Sequence, residues 1–235
     1  MIERRELSYS DKLTRDISIS SERSALLKKT YLLLSVSVLG MLIGGKIGIN
    51  SPVILNLFTG WMGWVLAMVA LNTVPVLALK WQHNPTLGTL ALFADGFVAG
   101  IVIAPMLYLA QLMSGTQIVT SAAWITAAVF IAVTAFVYFT GTRWAPSRAL
   151  YMGIFFAIMG AIVLNMFLHI GLLGILIAAG IGIIGIITLV SATSEILHNQ
   201  NISSPIPGAL MLFSGIFMVF QSVMHLLMAF GGGDD

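Results

Sequence analysis

Three ionisable side chains lie inside long apolar stretches of this sequence, where a charge is costly and therefore indicates function. Asp95 and Glu195 are the only acids between residues 30 and 230, and His225 lies in the last apolar stretch. A carboxylate or an imidazole in such surroundings can hold or pass a proton or a cation. One hypothesis for these residues is therefore an ion path or a gate.

Each of the three residues also has a purely structural interpretation. Asp95 is expected near the middle of a helix, among small neighbours, where a neutral carboxyl would fix helix packing through a hydrogen bond. Glu195 is expected close to a helix end, where it would face water or pair with a basic loop residue. His225 would hydrogen-bond to a neighbouring helix. The residue types leave both interpretations open.

The composition indicates that membrane-spanning helices position these residues. Of the 235 residues, 58% are hydrophobic and only 9% are charged, whereas soluble domains carry about 25% charged residues. A soluble enzyme and a basic nucleic-acid binder are thereby excluded. The chain has no cysteine and no spacing of metal ligands such as H-E-x-x-H, so we expect neither a metal nor a cofactor.

Seven apolar stretches are long enough to cross a bilayer, for which about 20 residues are needed. They cover residues 30–49, 53–79, 87–113, 118–140, 149–168, 172–197 and 208–230. The predicted fold class is an all-α integral membrane protein, a seven-transmembrane-helix bundle. Residues 1–29 would form a polar cytosolic tail, residues 30–230 the membrane domain, and residues 231–235 a flexible C-terminal tail.

The distribution of Lys and Arg predicts the orientation, because cytosolic loops carry an excess of positive charge. With a cytosolic N-terminus, Lys46 alone lies outside and ten positive residues lie inside. The ten are Arg4, Arg5, Lys12, Arg15, Arg23, Lys28, Lys29, Lys80, Arg143 and Arg148. The C-terminus then lies outside.

The sixth stretch also carries small residues spaced three, four or seven apart, which places them on one helix face. Such a face packs closely on other helices, and Glu195 continues it beyond the last small residue. The small residues are Gly171, Gly174, Ala178, Gly182, Gly185 and Ala192.

Other known classes of protein with several membrane helices are poor matches. A retinal protein needs a lysine in the last helix, and residues 205–235 contain none. An intramembrane aspartyl protease needs two aspartates, and Asp95 is the only one within the apolar stretches. The serine of an intramembrane protease follows a glycine two residues earlier, which Ser114 and Ser214 lack. We therefore predict that the protein is not an enzyme.

Four segments resemble the Bax inhibitor/YccA family, and the bacterial YccA-like branch in particular. The likeness depends on their order and spacing and covers nearly the whole chain from about residue 25. The segments are Leu27-Lys28-Lys29-Thr30-Tyr31-Leu32-Leu33-Leu34-Ser35, Phe139-Thr140-Gly141-Thr142-Arg143, Met152-Gly153-Ile154-Phe155-Phe156-Ala157-Ile158-Met159-Gly160 with Asn165, and Ala192-Thr193-Ser194-Glu195-Ile196-Leu197-His198.

The resemblance implies a multi-pass protein of the bacterial inner membrane, with seven helices and the last helix at the centre. It also implies two activities. Some members are pH-sensitive leaks for calcium or other cations, in which acids on the sixth and seventh helices share a proton. This chain departs from that pattern, because Ala192 stands at the first position and Ser214 or Gly215 at the second.

The first functional hypothesis is accordingly a regulatory membrane protein that binds and modulates FtsH, a membrane-anchored ATP-dependent protease, and its associated proteins. The alternative is a pH-sensitive leak for calcium or protons that uses Asp95, Glu195 and His225. Membrane lipid is the expected surroundings in both cases, and nucleic acid is not an expected partner.

Overall fold

The computed structural model describes residues 2–141, 144, 147–168, 170–198 and 204–231. These residues form eight α-helices and, within the ranges just given, no strand. The helices are α1 (Ile2–Ile49), α2 (Pro52–Leu57), α3 (Gly60–Lys80), α4 (Pro85–Ser114), α5 (Gln117–Thr140), α6 (Arg148–Leu168), α7 (Gly171–His198) and α8 (Pro205–Gly231).

Six helices in the described part of the chain are long and apolar enough to cross a membrane. They are α1 from Ala25 onward, α3, α4, α5, α7 and α8. The prediction of an all-α membrane protein is therefore confirmed. The predicted fifth span, residues 149–168, coincides with the 21-residue helix α6, of which Phe156–Asn165 qualifies as a shorter apolar run.

The second predicted helix, residues 53–79, is wrong as a single element. It is divided into α2 and α3 near Gly60, whose φ of 77° is a backbone conformation that favours glycine. Ser51 is the N-cap of the short α2, and its side chain accepts a hydrogen bond from the backbone N–H of Ile54 at 3.4 Å. Pro52 occupies the first turn. Hydropathy alone does not register such a break, because α2 and α3 are both apolar.

The predicted polar tail is helical in the structure. Helix α1 is continuous from Ile2 to Ile49, so it passes through residue 29 without a break. At 1.5 Å per residue, the part that precedes Ala25 is about 35 Å long. The predicted loop residues Arg143 and His169 and the segments 199–203 and 232–235 lie outside the described residues.

Helices α1 and α4 run parallel and approach each other closely through glycines. Gly40 and Gly44 of α1 lie against the backbone of Phe93 and Phe97 on α4, and Gly48 lies against Ala104. Residues four apart share one face of a helix, so these three glycines form a flat stripe. The backbones meet there because no side chain separates them.

Helix α8 occupies the centre of the bundle, as the family resemblance implied. It packs against α1, α3, α4, α5 and α7, and half of its spanning window is buried, the largest share of any span. Its buried side chains join both hydrophobic clusters of the core. They include Ile206, Leu210, Leu212, Phe213 and Met224.

Candidate functional site

Asp95 lies about a third of the way along α4 and is 4% exposed. Asn84 is the N-cap of this helix. Its side-chain oxygen accepts hydrogen bonds from the N–H groups of Thr86 at 3.1 Å and Leu87 at 3.2 Å. Asp95 follows the first helical residue, Pro85, by ten positions, or about 15 Å along the axis. The expectation of a buried carboxyl among small neighbours agrees with this placement.

The backbone of α1 covers α4 directly beside Asp95. A Cβ atom on Gly96 would overlap the carbonyl oxygen of Ser37, and one on Gly100 would lie only 2.6 Å from the backbone nitrogen of Gly45. The Ser37 hydroxyl at this contact is fully buried and has no hydrogen-bond partner in the described chain. Asp95 therefore lies beside the close contact between α1 and α4, which also buries the Ser37 hydroxyl oxygen.

Glu195 is half-buried in the last turn of α7. Its neighbour Ile196 packs against Gly208 near the start of α8, so Glu195 lies at the same depth as Gly208. Ser194 fixes the surroundings, since its hydroxyl accepts a hydrogen bond from the backbone N–H of Trp144 at 3.0 Å. This bond attaches the segment after α5 to the end of α7.

His225 lies in α8 but points away from the core. Its side chain is exposed, whereas the preceding residue, Met224, is fully buried. The structure therefore places the imidazole on the outside of the bundle and does not bring it together with Asp95.

The depths of the three residues can be compared along α8. Gly88 of α4 packs against Ile206, and Asp95 follows Gly88 by seven residues, so Asp95 is level with about Phe213. Glu195 is level with Gly208, which is about 7 Å from that depth, whereas His225 is about 18 Å beyond it. Asp95 and Glu195 thus lie in the same half of the bundle, and His225 lies near the opposite end.

The positions at which the family resemblance implied a pair of acids are Ala192 and either Ser214 or Gly215, and they lie on the two packed helices α7 and α8. Ala192 on α7 is fully buried. A Cβ atom on Gly215 would lie 2.8 Å from the Leu189 side chain and 3.1 Å from the carbonyl oxygen of Gly185. Helices α7 and α8 are therefore in close apolar contact at these positions.

The small-residue face predicted for the sixth span is confirmed over most of its length. Ala178 is buried and its carbonyl oxygen accepts a hydrogen bond from the Ser222 hydroxyl at 2.7 Å. Gly182 and Gly185 also contact α8. Gly171, at the start of α7, has nothing within 4 Å of a Cβ position, so the face begins to pack only beyond that residue.

Sequence reasoning missed two features. One is the α1–α4 contact, although the spacing of Gly40, Gly44 and Gly48 was a usable signal. The other is a cleft of about 450 Å³ between the end of α1, α2 and the second half of α4. No sequence pattern indicated the cleft, because residues that are far apart in the chain form it. No three His, Asp or Glu side chains of the described segments are grouped as metal ligands.

Comparison with known proteins gives two matches. A family model described as "Inhibitor of apoptosis-promoting Bax1" matches residues 23–232. An uncharacterized protein of Campylobacter jejuni is 26% identical over 214 residues, which cover 90% of this chain and 91% of that protein.

Proposed function

The chain belongs to the Bax inhibitor family, whose model covers nearly all of it, and from that premise we propose a regulatory role in a bacterial inner membrane. In this proposal the protein crosses the bilayer seven times and modulates a membrane-anchored ATP-dependent protease of the FtsH type. Membership of the family and the membrane character are established. We propose the number of crossings, the protease partner and the bacterial inner membrane.

The position of α6 supports seven crossings. The hydrogen bond from Trp144 to Ser194 holds the end of α5 beside the end of α7. Helix α7 begins at Gly171, 23 residues before Ser194, which is about 35 Å away along the helix axis. The chain must cover that distance between Trp144 and Gly171, and the 21 residues of α6 span about 31 Å.

Contacts between α6 and α7 agree with this path. A Cβ atom on Gly180 would lie 3.5 Å from the Ile158 side chain, and one on Gly174 would lie 3.5 Å from the amide nitrogen of Asn165. The higher-numbered glycine of α7 contacts the lower-numbered residue of α6, so the two helices are antiparallel. Helix α6 then runs in the same direction as α8, which is itself antiparallel to α7.

The charges support a cytosolic N-terminus. Lys28 and Lys29 are exposed at the start of the first span, and Lys80 is exposed at the end of α3. The Ser204 hydroxyl donates a hydrogen bond to the carbonyl oxygen of Gln82 at 2.9 Å, which brings the segment before α8 to the same end. Lys46 lies at the opposite end, so the positive charge is concentrated on one side.

A binding role is favoured over conduction by one observation, the closed contact between α7 and α8. Ala192 and Gly215 are buried there against apolar side chains. A gate that responds to protons needs titratable groups that face one another, and these positions carry none. The part of α1 that precedes Ala25 is about 35 Å long. In this proposal it is the segment that a cytosolic protease binds.

The test is recovery of the protease from native membranes. The tagged full-length chain is cross-linked in cells and solubilised in detergent, and the captured proteins are identified by mass spectrometry. We expect an ATP-dependent membrane protease to be recovered with the full chain, and recovery to fall when residues 2–22 are deleted. Absence of the protease from every cross-linked sample would contradict the proposal.

A pH-sensitive cation leak is the second candidate, and the burial of Asp95 at mid-span favours it. Flux of calcium or protons into liposomes that contain the protein is measured across a range of pH. If the chain conducts, Asp95→Asn abolishes the flux and Glu195→Gln reduces it. His225→Gln leaves the flux unchanged, because the His225 side chain lies on the outer surface of the bundle. Absence of flux from the parent protein removes this candidate.

A further inference from the structure

The cleft at the end of α1 is lined by both polar and apolar side chains. Asn50, Asn56 and Tyr108 contribute polar atoms, and Leu55 and Leu109 contribute carbon surface. Its volume of about 450 Å³ lies within the range of small-molecule sites, about 300–1,000 Å³. The break between α2 and α3 creates this space, because a single continuous helix would leave no short arm above the end of α1.

Several hydrogen-bonding groups in the cleft are available to a ligand. The side chains of Asn56 and Tyr108 make no hydrogen bond to any described residue. Asn50 uses only one of its amide hydrogens, which it donates to the carbonyl oxygen of Lys46 at 2.7 Å. The cleft can therefore both donate and accept hydrogen bonds.

A single cation accompanies these neutral groups. Lys46 is the only Lys or Arg between Lys29 and Lys80, and its side chain is exposed. At 100° per residue Lys46 falls between the directions of Ile49 and Asn50, both of which line the cleft. The long side chain of a lysine can reach toward the headgroup region from one turn below.

The surface that continues from the cleft is apolar and uncovered. Ile47 is 48% exposed and Ile43 is 46% exposed on α1, and both precede the cleft residue Asn50 along the chain. This surface extends from the end of α1 toward the middle of the membrane. A ligand that fits it is polar at one end and carries hydrocarbon chains at the other.

We propose that this cleft binds one glycerophospholipid of the adjacent leaflet. Its headgroup bonds to Tyr108 and Asn56, its phosphate lies at Lys46, and an acyl chain lies along Ile47 and Ile43. The assignment requires only that the chain lie in a membrane, and it is independent of the protease and of conduction.

Native mass spectrometry of the full-length protein tests the assignment. The detergent-purified, delipidated chain is titrated with phosphatidylethanolamine, and the bound lipid is counted. Tyr108→Phe and Lys46→Gln should each weaken binding roughly threefold to tenfold, because each removes one polar contact. Tyr108 is 40% exposed, so loss of its hydroxyl leaves the fold intact.

Two matched variants serve as controls. Tyr138→Phe changes a tyrosine on α5 that is 67% exposed, and Lys80→Gln changes an exposed lysine at the opposite end of the bundle. Both should bind lipid as the parent does. Equal binding by cleft and control variants, or equal losses in both, would overturn the proposal.

A soluble headgroup distinguishes lipid from a small phosphate ligand. Glycerophosphoethanolamine and inorganic phosphate are added at the concentration of the lipid. Neither should displace bound phosphatidylethanolamine, because both lack the chains that cover the apolar surface. Displacement by either compound would overturn the lipid assignment in favour of a small phosphate compound.

Discussion

The contact between α1 and α4 and the contact between α6 and α7 use glycine in opposite ways. On α1, Gly40 and Gly44 lie directly against the backbone of α4, so any side chain there would collide. On α6, Gly160 has nothing within 4 Å of a Cβ position, and among the described helices α6 packs against α7 alone.

The difference shows that a glycine count does not identify a tight helix contact. Lipid and protein interior are both apolar, so a small residue can face either one. A glycine contributes to packing only where a second helix presents a backbone at the same depth. The α1–α4 contact meets that condition along three turns, and α6 does not.

The largest expected effect is the loss of the α1–α4 contact in Gly96→Ala. A methyl group on Gly96 would overlap the Ser37 carbonyl oxygen, and backbone cannot move aside as a side chain can. We expect the variant to lose at least about 2 kcal/mol of stability. Thermal unfolding in detergent, followed by tryptophan fluorescence, measures the loss. An unchanged midpoint would show that the two backbones are farther apart than the structure places them.

Asn165→Ala should have a smaller effect that is confined to α6. The Asn165 side-chain oxygen accepts a hydrogen bond from the backbone N–H of Ile170 at 3.0 Å, which fixes the turn into α7. Its loss should cost about 1 kcal/mol. Hydrogen exchange should rise in α6 and leave α1 and α4 unchanged. A uniform rise in all helices would contradict the peripheral position of α6.

Ser37→Ala should stabilise the protein. The Ser37 hydroxyl is fully buried without a hydrogen-bond partner among the described residues, and burying such a group is unfavourable. Removal of the oxygen should raise stability by about 0.5–1 kcal/mol. The same unfolding assay measures the gain. A loss of stability would show that the hydroxyl has a hydrogen-bond partner. The candidate partner is Asp95, which precedes Gly96 at the contact with Ser37.

Gly180→Ala provides the smallest effect and the matched control for Gly96→Ala. A Cβ atom on Gly180 would lie 3.5 Å from the Ile158 side chain, which is an ordinary contact. Alanine also favours the helix over glycine, so stability should stay within about 0.5 kcal/mol of the parent or rise slightly. A large loss from Gly180→Ala would remove the contrast between the two helix pairs.

Much of the candidate site was predictable from residue type and position. An acid inside a long apolar stretch must be buried or face a cavity, so the mid-span burial of Asp95 followed from its place in the sequence. The direction of His225 did not. Position along an apolar stretch does not show which face of the helix meets the core, and a difference of one residue separates the exposed His225 from the buried Met224.

The sequence by itself determined that the chain is a helical membrane protein of the Bax inhibitor family and where its apolar stretches lie. These properties depend on residues that are neighbours along the chain, since hydropathy and helix length are local quantities. Tertiary structure alone decided that α1 packs on α4 and that α2 forms a cleft with α4. Those contacts join residues that are distant in sequence, and an apolar side chain has the same hydropathy whether it faces lipid or another helix.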